Sequence, residues 1–198
     1  MTIRKPAGNS VGDAAESAIV SKRAEPGPAA PTPAKPTSAN LGPADLTLLK
    51  RAIALAETAR AQGKHPFASL VAGADGKVIA EAGNNSLPPD GDPTQHAELR
   101  AAQMAARALP PEQLAGATLY TSAEPCAMCS GAIYWCGIGR VVYALSEHRL
   151  LELTGDHPEN PTFSLPCREV FARGQRKIEV VGPALEEEAA VAHRNFWK

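Results

Sequence analysis

Two short segments of the chain carry the side chains that zinc prefers as ligands, and they constrain how the polypeptide can fold. The first reads His96-Ala97-Glu98, and the second reads Pro125-Cys126-Ala127-Met128-Cys129. Catalytic zinc sites are built mainly from histidine nitrogen and cysteine sulfur, and they leave a fourth position for water. The fold must therefore bring two segments that are well separated in the sequence together around one ion.

Local sequence signals place both segments at the beginnings of helices. Thr94 can cap a helix that carries the histidine and the glutamate in its first turn, and Pro125 suits the start of a second helix. The two cysteines are three residues apart, so they share one face of that second helix. A helix N-terminus favours the thiolate form of cysteine, which is the form that binds metal. We therefore predict one zinc ion held by His96, Cys126 and Cys129.

Glu98 is the candidate catalytic residue. Side chains in a helix lean toward its N-terminus, so a first-turn histidine and a glutamate two residues later can both reach one cavity. Two thiolates largely neutralise the charge of zinc, so water at such a site is less acidified than at an all-histidine site and needs a general base. We predict that Glu98 takes a proton from this water and delivers protons to the substrate. The alternative for the cysteines alone is a structural zinc site or a packed core pair.

The remaining sequence separates into a tail and one domain. Residues 1–43 are rich in Ala, Pro, Ser and Gly with few large apolar side chains, so we predict a disordered tail there. Apolar residues then recur with a helical period from residue 44, and short apolar runs predict strands at 67–71, 78–80, 117–121, 141–143 and 178–181. Between these strands, helices are expected after Thr94 up to Leu109, from Pro125 to about Gly137 and from Ser146 to Leu153, and a last helix is expected at 185–196. Residues 44–198 are therefore predicted to form one α/β domain, a mixed sheet with helices on both faces.

Charge and composition restrict which binding partners and which cellular compartment the sequence predicts. Lys and Arg number 20 and Asp and Glu number 21, which gives a net charge of −1 and no overall attraction to phosphate backbones. A nucleic-acid partner is therefore disfavoured. A Cys-x-x-Cys pair with an upstream histidine indicates metal ligation in a reducing compartment, so we predict a cytoplasmic protein. No apolar run approaches the length of a membrane span, and the N-terminus lacks the apolar core of a secretory signal.

Several segments match one protein family in residue and in order: Asp92-Pro93-Thr94, His96-Ala97-Glu98, Glu124-Pro125-Cys126 and the run from Cys129 to Ile133. On these segments the chain resembles the cytidine-deaminase-like zinc superfamily, and within it the branch shared by guanine deaminases and tRNA adenosine deaminases. His65-Pro66-Phe67 and the run from Gly131 to Trp135 resemble the guanine deaminases in particular. The resemblance implies a three-layer αβα fold with a central five-stranded mixed sheet, one zinc ion per subunit and a homodimer.

The resemblance also implies residues that bind the substrate. Asn85, eleven residues before His96, matches the asparagine that hydrogen-bonds the bound base or ribose in the family. The backbone of Ala97 is expected to contact the ring, Phe67 to flank it, and Phe196 or Trp197 to cover the pocket. Related guanine deaminases carry two adjacent acids after the fourth strand, and the second touches the substrate. At that place this chain has Asp156 and His157, so a histidine replaces the second acid.

The function implied is hydrolytic deamination of a free amino-substituted nucleobase or nucleoside, guanine-like first and cytosine-like or isocytosine-like next. The alternative is a tRNA adenosine deaminase, which would need a basic surface for the anticodon arm. From another class, the chain could be a non-catalytic, zinc-bound partner subunit. Such subunits usually lack the proton-shuttling glutamate, whereas Glu98 is present here.

Overall fold

The computed structural model describes residues 41–155 and 157–198. The predicted tail therefore lies outside the described residues up to residue 40, and so does Asp156. Helix α1 (Pro43–Ala61) begins one residue before the predicted start of the domain, because a proline is well tolerated at the first helical position. The Asp45 carboxylate accepts a hydrogen bond from the Gly42 backbone nitrogen at 3.1 Å and so satisfies the helix start.

Five strands form one mixed sheet in the order β2-β1-β3-β4-β5. Strand β1 pairs antiparallel with β2 and β3, whereas β4 pairs parallel with β3 and β5. The strand bounds are Ala68–Ala72 (β1), Val78–Gly83 (β2), Thr118–Ala123 (β3), Arg140–Leu145 (β4) and Glu179–Val181 (β5). The predicted five-stranded mixed sheet is thus confirmed.

Six further helices follow α1 among the described residues, and a short 3₁₀ turn, Val191–His193, comes after the last of them. The C-terminal helix is shorter than predicted, because the chain tightens into this turn and Asn195 then takes a positive φ of 59°. Helix α6 lies in a stretch for which the sequence predicted no element. The bounds are Ala97–Ala108 (α2), Pro111–Leu114 (α3), Ala127–Cys136 (α4), Glu147–Thr154 (α5), Cys167–Ala172 (α6) and Glu186–Ala190 (α7).

The sheet is buried on both faces, as its nearly continuous apolar central strands require. Leu119 and Val141 point toward one cluster, which includes residues of α2, α4 and α6. Their chain neighbours Tyr120 and Val142 point toward the opposite cluster, which includes residues of α1, α5 and α7. The period of two along each strand therefore produces the three αβα layers. None of the helices in the described part of the chain has the length and apolarity needed to span a membrane.

The topology determines where a site can form. Strands β3 and β4 are parallel, so the segments that follow them, which lead into α4 and α5, leave the sheet at the same edge. In open α/β sheets, ligands bind outside this carboxyl edge. Helix α2 packs against α4 and against β1 and β2, which brings its N-terminus to the same region.

Candidate active site

The two metal-binding segments lie at the very starts of α2 and α4. His96 is the N-cap of α2 and Cys126 the N-cap of α4, and both have extended backbone conformations. The predicted cap, Thr94, lies earlier because its backbone nitrogen donates to Asp92 Oδ1 at 2.8 Å in a local turn. Pro125 likewise precedes the cap instead of opening the helix. Since an N-cap side chain points beyond its helix, the histidine and the first cysteine face each other.

His96, Cys126 and Cys129 form a metal site. Their ligand atoms all lie within 4.8 Å of one another, and His96 Nδ1 is 3.6 Å from Cys126 Sγ. Ligands on a tetrahedral zinc, at about 2.0–2.3 Å from the ion, are separated by roughly 3.5–3.8 Å. The three side chains are therefore close enough to bind one zinc ion with little rearrangement.

The two thiols need a cation to be charged together. The Cys129 side chain, with His96 as a smaller contribution, lowers the pKa of Cys126 to about 4. The adjacent Cys126 sulfur, together with burial, raises the pKa of Cys129 well above its usual value. One thiolate therefore forms readily, while the second is opposed by the first. A divalent cation between them removes this opposition, so the donor set fits zinc.

Glu98 lies in the first turn of α2, directly beside the metal site. Its side chain is almost fully buried, and burial raises the pKa of its carboxyl group. Glu98 Oε1 accepts a hydrogen bond from Thr121 Oγ1 at 3.1 Å, and Oε2 lies 3.6 Å from Cys129 Sγ. These contacts fix the carboxyl group between strand β3 and the metal ligands. A buried acid held in this way can move protons at a bound substrate.

A cavity of about 580 Å³ opens in front of the metal site, which is within the range of small-molecule pockets. It is lined by residues just before β1, at the end of β3 and at the starts of α2, α4 and α5, and by residues of two loops, 84–93 and 158–163. Four carboxylates face it. Neither a lysine nor an arginine of the described residues lines it. The four carboxylates belong to Glu98, Glu124, Glu147 and Glu159.

The sequence does not predict a place in the cavity for two of these acids, Glu124 after β3 and Glu147 at the start of α5. The Glu124 carboxylate follows β3 and accepts hydrogen bonds from the backbone nitrogens of Glu147 at 3.1 Å and of Cys167 at 3.0 Å. Glu147 is partly buried next to it, and burial followed by repulsion from Glu124 raises the pKa of Glu147 to about 7. Both acids come shortly after parallel strands, where side chains meet at one edge of the sheet.

The asparagine that lines the cavity is Asn84, one residue before the predicted Asn85. Asn84 is buried and its backbone nitrogen donates to Phe67 O at 2.8 Å, which continues the sheet beyond β2. The Asn85 amide is engaged elsewhere, with Lys64 Nζ at 2.7 Å and Gln95 Oε1 at 2.6 Å. Neighbouring residues of an extended chain point in opposite directions, so only one of the two can face the metal.

Of the other residues predicted to contact the substrate, some line the cavity and some do not. Phe67 lines the cavity, whereas Ala97 is fully buried at the start of α2 and His157 lies outside the lining. The His157 ring instead lies 5.5 Å from the ring of Trp197. The acid that this loop contributes to the cavity is Glu159, whose Oε2 is 3.1 Å from His65 Nε2.

The two C-terminal aromatic residues lie outside the cavity lining. Trp197 and Phe196 pack against His65, with ring centroids 5.1 Å and 6.0 Å away respectively. The Trp197 ring also lies 6.0 Å from that of Phe67. They therefore support the cavity wall from behind, whereas the sequence predicted that one of them covers the pocket.

Comparison with protein families and with characterised proteins agrees with this geometry. Residues 43–145 match the family described as the cytidine and deoxycytidylate deaminase zinc-binding region, and this match contains all three metal ligands and Glu98. A probable cytosine deaminase of Schizosaccharomyces pombe is 43% identical over 160 residues, which cover 81% of this chain and 96% of the relative. The guanine deaminase of Bacillus subtilis is 47% identical over 103 residues, which cover 52% of this chain and 64% of the relative.

A solved structure of a guanine deaminase from Nitrosomonas europaea is also similar. It superposes with a TM-score of 0.62 at 27% identity, and the match covers 77% of this chain and 82% of that one. Proteins named as tRNA-specific adenosine deaminases are also among the relatives that match. The predicted fold, the predicted family and zinc as the cofactor are thereby confirmed.

Proposed function

Since the chain belongs to the cytidine and deoxycytidylate deaminase zinc-binding family, we propose that it hydrolyses the amino group of a free nucleobase or nucleoside and releases ammonia. The observation that carries this proposal is the buried Glu98 carboxyl group beside a His-Cys-Cys zinc site, at the wall of an acid-lined cavity. The family itself supports a hydrolytic enzyme acting on bases or nucleosides. The choice among substrates is our proposal.

The chemistry divides between the metal and Glu98. A zinc ion held by His96, Cys126 and Cys129 supplies Lewis acidity, which lowers the pKa of water in the cavity. Glu98 then takes a proton from the attacking water while the water oxygen bonds to the amino-bearing ring carbon. Glu98 passes this proton to the ring nitrogen and then carries the proton of the newly added hydroxyl group to the amine, so a carbonyl forms, the carbon–nitrogen bond breaks and ammonia leaves.

The cavity walls hold the base. We propose Asn84 in the role expected of Asn85, since its side chain lines the cavity and its neighbour's does not. Phe67 flanks the ring, and Glu147 and Glu159 are available to accept hydrogen bonds from N–H groups of the base. His157 and Ala97 lie outside the cavity lining, so we assign neither a direct contact through its side chain.

Guanine-like bases are the first candidates, because a base with several N–H groups suits a cavity that contains four carboxylates. Cytosine-like bases are the second candidates. They are favoured by the similarity to the yeast relative, which extends over 81% of this chain and so includes regions beyond the zinc-binding segments. Such bases share the amidine carbon that the proposed chemistry requires.

A tRNA substrate is disfavoured by the charge of the cavity. RNA-binding sites neutralise phosphates with lysine and arginine side chains. In the part of the chain that the structure describes, the cavity lining offers no such side chain and offers four carboxylates. We therefore propose neutral bases or nucleosides, and not nucleotides or RNA, as substrates.

The test is an assay of ammonia release by the purified, zinc-loaded protein. The panel contains guanine, guanosine, cytosine, cytidine, isocytosine, adenine and a tRNA transcript with adenosine at the wobble position. Turnover of one or more small molecules, with none of the tRNA, supports the proposal. Activity on the tRNA alone would contradict it.

We also propose that the protein is a cytoplasmic homodimer and that residues 44–198 are sufficient for activity. Helix α4 exposes Trp135, whose exposed fraction is 78%, and Met128, at 36%. Exposed large apolar side chains on one helix are typical of an interface. The measurement is the mass in solution by light scattering. Trp135→Lys is expected to lower it to that of a monomer.

A further inference from the structure

We propose that Glu159, His65 and Ser86 form a positioning chain that fixes the Asn84 amide in one orientation, with its nitrogen toward the substrate. The site would then take a base that presents a hydrogen-bond acceptor to Asn84, either a carbonyl oxygen or an unprotonated ring nitrogen. The inference rests on the proposed function, because it assigns a specificity to the same cavity. It follows from four contacts along one wall of that cavity.

Two contacts with Ser86 identify the atoms of the Asn84 amide. The backbone nitrogen of Ser86 lies 2.8 Å from Asn84 Oδ1, and Ser86 Oγ lies 2.7 Å from the same atom. A backbone N–H can only donate, so the atom that it faces must be the amide oxygen. Because this oxygen carries no hydrogen, the serine hydroxyl must also donate to it.

The next contact determines where His65 carries a proton. The Ser86 hydroxyl has one hydrogen, and Asn84 Oδ1 receives it. His65 Nδ1 lies 3.2 Å from Ser86 Oγ, so this ring nitrogen must donate to the serine oxygen. On the opposite side of the ring, Nε2 lies 3.1 Å from Glu159 Oε2. A carboxylate can only accept, so Nε2 must donate to Glu159. The ring thus carries a hydrogen on both nitrogens and donates through Ser86 toward Asn84 on one side and to the Glu159 carboxylate on the other.

The ring that anchors the chain is itself held in place. His65 is buried, and the rings of Trp197 and Phe196 pack against it. This packing leaves the imidazole little freedom to rotate away from Ser86. The C-terminal aromatic residues thus support the orientation of Asn84 from outside the cavity.

The consequence is a donor-only asparagine. Both acceptor positions of Asn84 Oδ1 are used by Ser86. Asn84 lines the cavity, and its Nδ2 has no hydrogen-bond partner among the described residues. The amide can therefore donate to the base but cannot accept from it. A base with an N–H at this position would oppose two donors in a desolvated site, which disfavours its binding.

A double-mutant cycle tests the positioning chain, because it distinguishes an effect of His65 through Asn84 from a direct contact of His65 with the substrate, since His65 also lines the cavity. Ser86→Ala and His65→Ala are each expected to raise KM about 3–10-fold with kcat within twofold, the effect of losing one hydrogen bond that acts in binding. In an Asn84→Ala background the same substitutions should have almost no further effect. Ser86→Thr, which keeps the hydroxyl, should restore the wild-type KM. Additive effects of His65→Ala and Asn84→Ala would overturn the proposal.

A measurement without turnover separates this inference from the proposed function. In the ¹⁵N spectrum of histidine side chains, His65 Nδ1 should be protonated, and Ser86→Ala should shift its resonance. His148→Ala is the control, since His148 is an exposed histidine on α5 that should leave the spectrum of His65 and the KM unchanged. If the wild type deaminates no base, the proposed function fails. The spectrum still shows whether the positioning chain exists. An unprotonated Nδ1 overturns it.

Discussion

Cys129 Sγ lies 3.6 Å from Glu98 Oε2, so a metal ligand on α4 and the buried acid on α2 are in direct contact. The acid is thereby held next to the metal without being one of its ligands in the proposed site. Metal binding and proton transfer depend on different side chains, although these side chains touch. Substitutions should therefore separate the two.

Glu98→Gln is expected to keep zinc and to lose turnover. The amide is similar in size to the carboxyl group and can still accept from Thr121, but it cannot take a proton from water. General acid–base catalysis typically contributes about 10²–10⁴-fold, so kcat should fall by that order. Zinc content by elemental analysis and ammonia release by a coupled assay are the two measurements. A rate close to that of the wild type would contradict the role of Glu98.

Removal of zinc is expected to abolish activity and to lower the thermal unfolding temperature. An ion that binds the folded chain stabilises it, and its loss leaves a Cys126 thiolate that opposes the ionisation of Cys129. Chelation followed by dialysis should give an inactive protein that added zinc restores. Cys129→Ser should reproduce the loss. Cys136→Ser, on the same helix but outside the metal site, is the matched control and should retain zinc.

Glu124 is expected to be a stability determinant, because its carboxylate joins the starts of α5 and α6. It is almost fully buried and accepts from two backbone nitrogens, those of Glu147 and Cys167. Hydrogen bonds to a charged group contribute about 1.5–3 kcal/mol each. Glu124→Gln places an amide NH₂ against one of these donors, so we expect a loss of about 2 kcal/mol in the free energy of unfolding. Chemical denaturation measures it, and the exposed Glu112→Gln serves as the control. An equal effect of both substitutions would contradict the assignment.

The metal site could be predicted from the sequence because it depends on local rules. A histidine and two cysteines at helix starts have their directions set by the helices themselves, and the strand patterns indicate a mixed sheet with helices on both faces. The three αβα layers follow from the period of two in strands such as β3 and β4.

The residues that line the cavity could not be predicted in the same way. The prediction of Asn85 depends on a spacing of eleven residues to His96 through a loop, whereas the end of strand β2 determines that Asn84 lines the cavity. Glu147 and Glu159 reach the cavity only because parallel strands and a returning loop meet there, which leaves no periodic signal. The register of a strand fixes the side to which each side chain points, whereas a loop of variable length does not.

His193 should make the protein less stable as the pH falls from about 6.5 to about 4. The side chain is buried, and burial lowers its pKa to about 4 from the usual 6.5, with Arg60 contributing. Its Nδ1 accepts from Trp197 Nε1 at 3.2 Å, and Nε2 is buried without a partner among the described residues. Above pH 6.5 the imidazole is neutral in both the folded and the unfolded chain, so its protonation does not change the free energy of unfolding. Between these pH values only the unfolded chain binds the proton, which favours unfolding by up to about 3 kcal/mol. Unfolding free energies at pH 7 and pH 4.5 measure this loss. His193→Gln should reduce the difference between them, whereas the exposed His148→Gln should not, and an unchanged difference in the first variant would contradict the prediction.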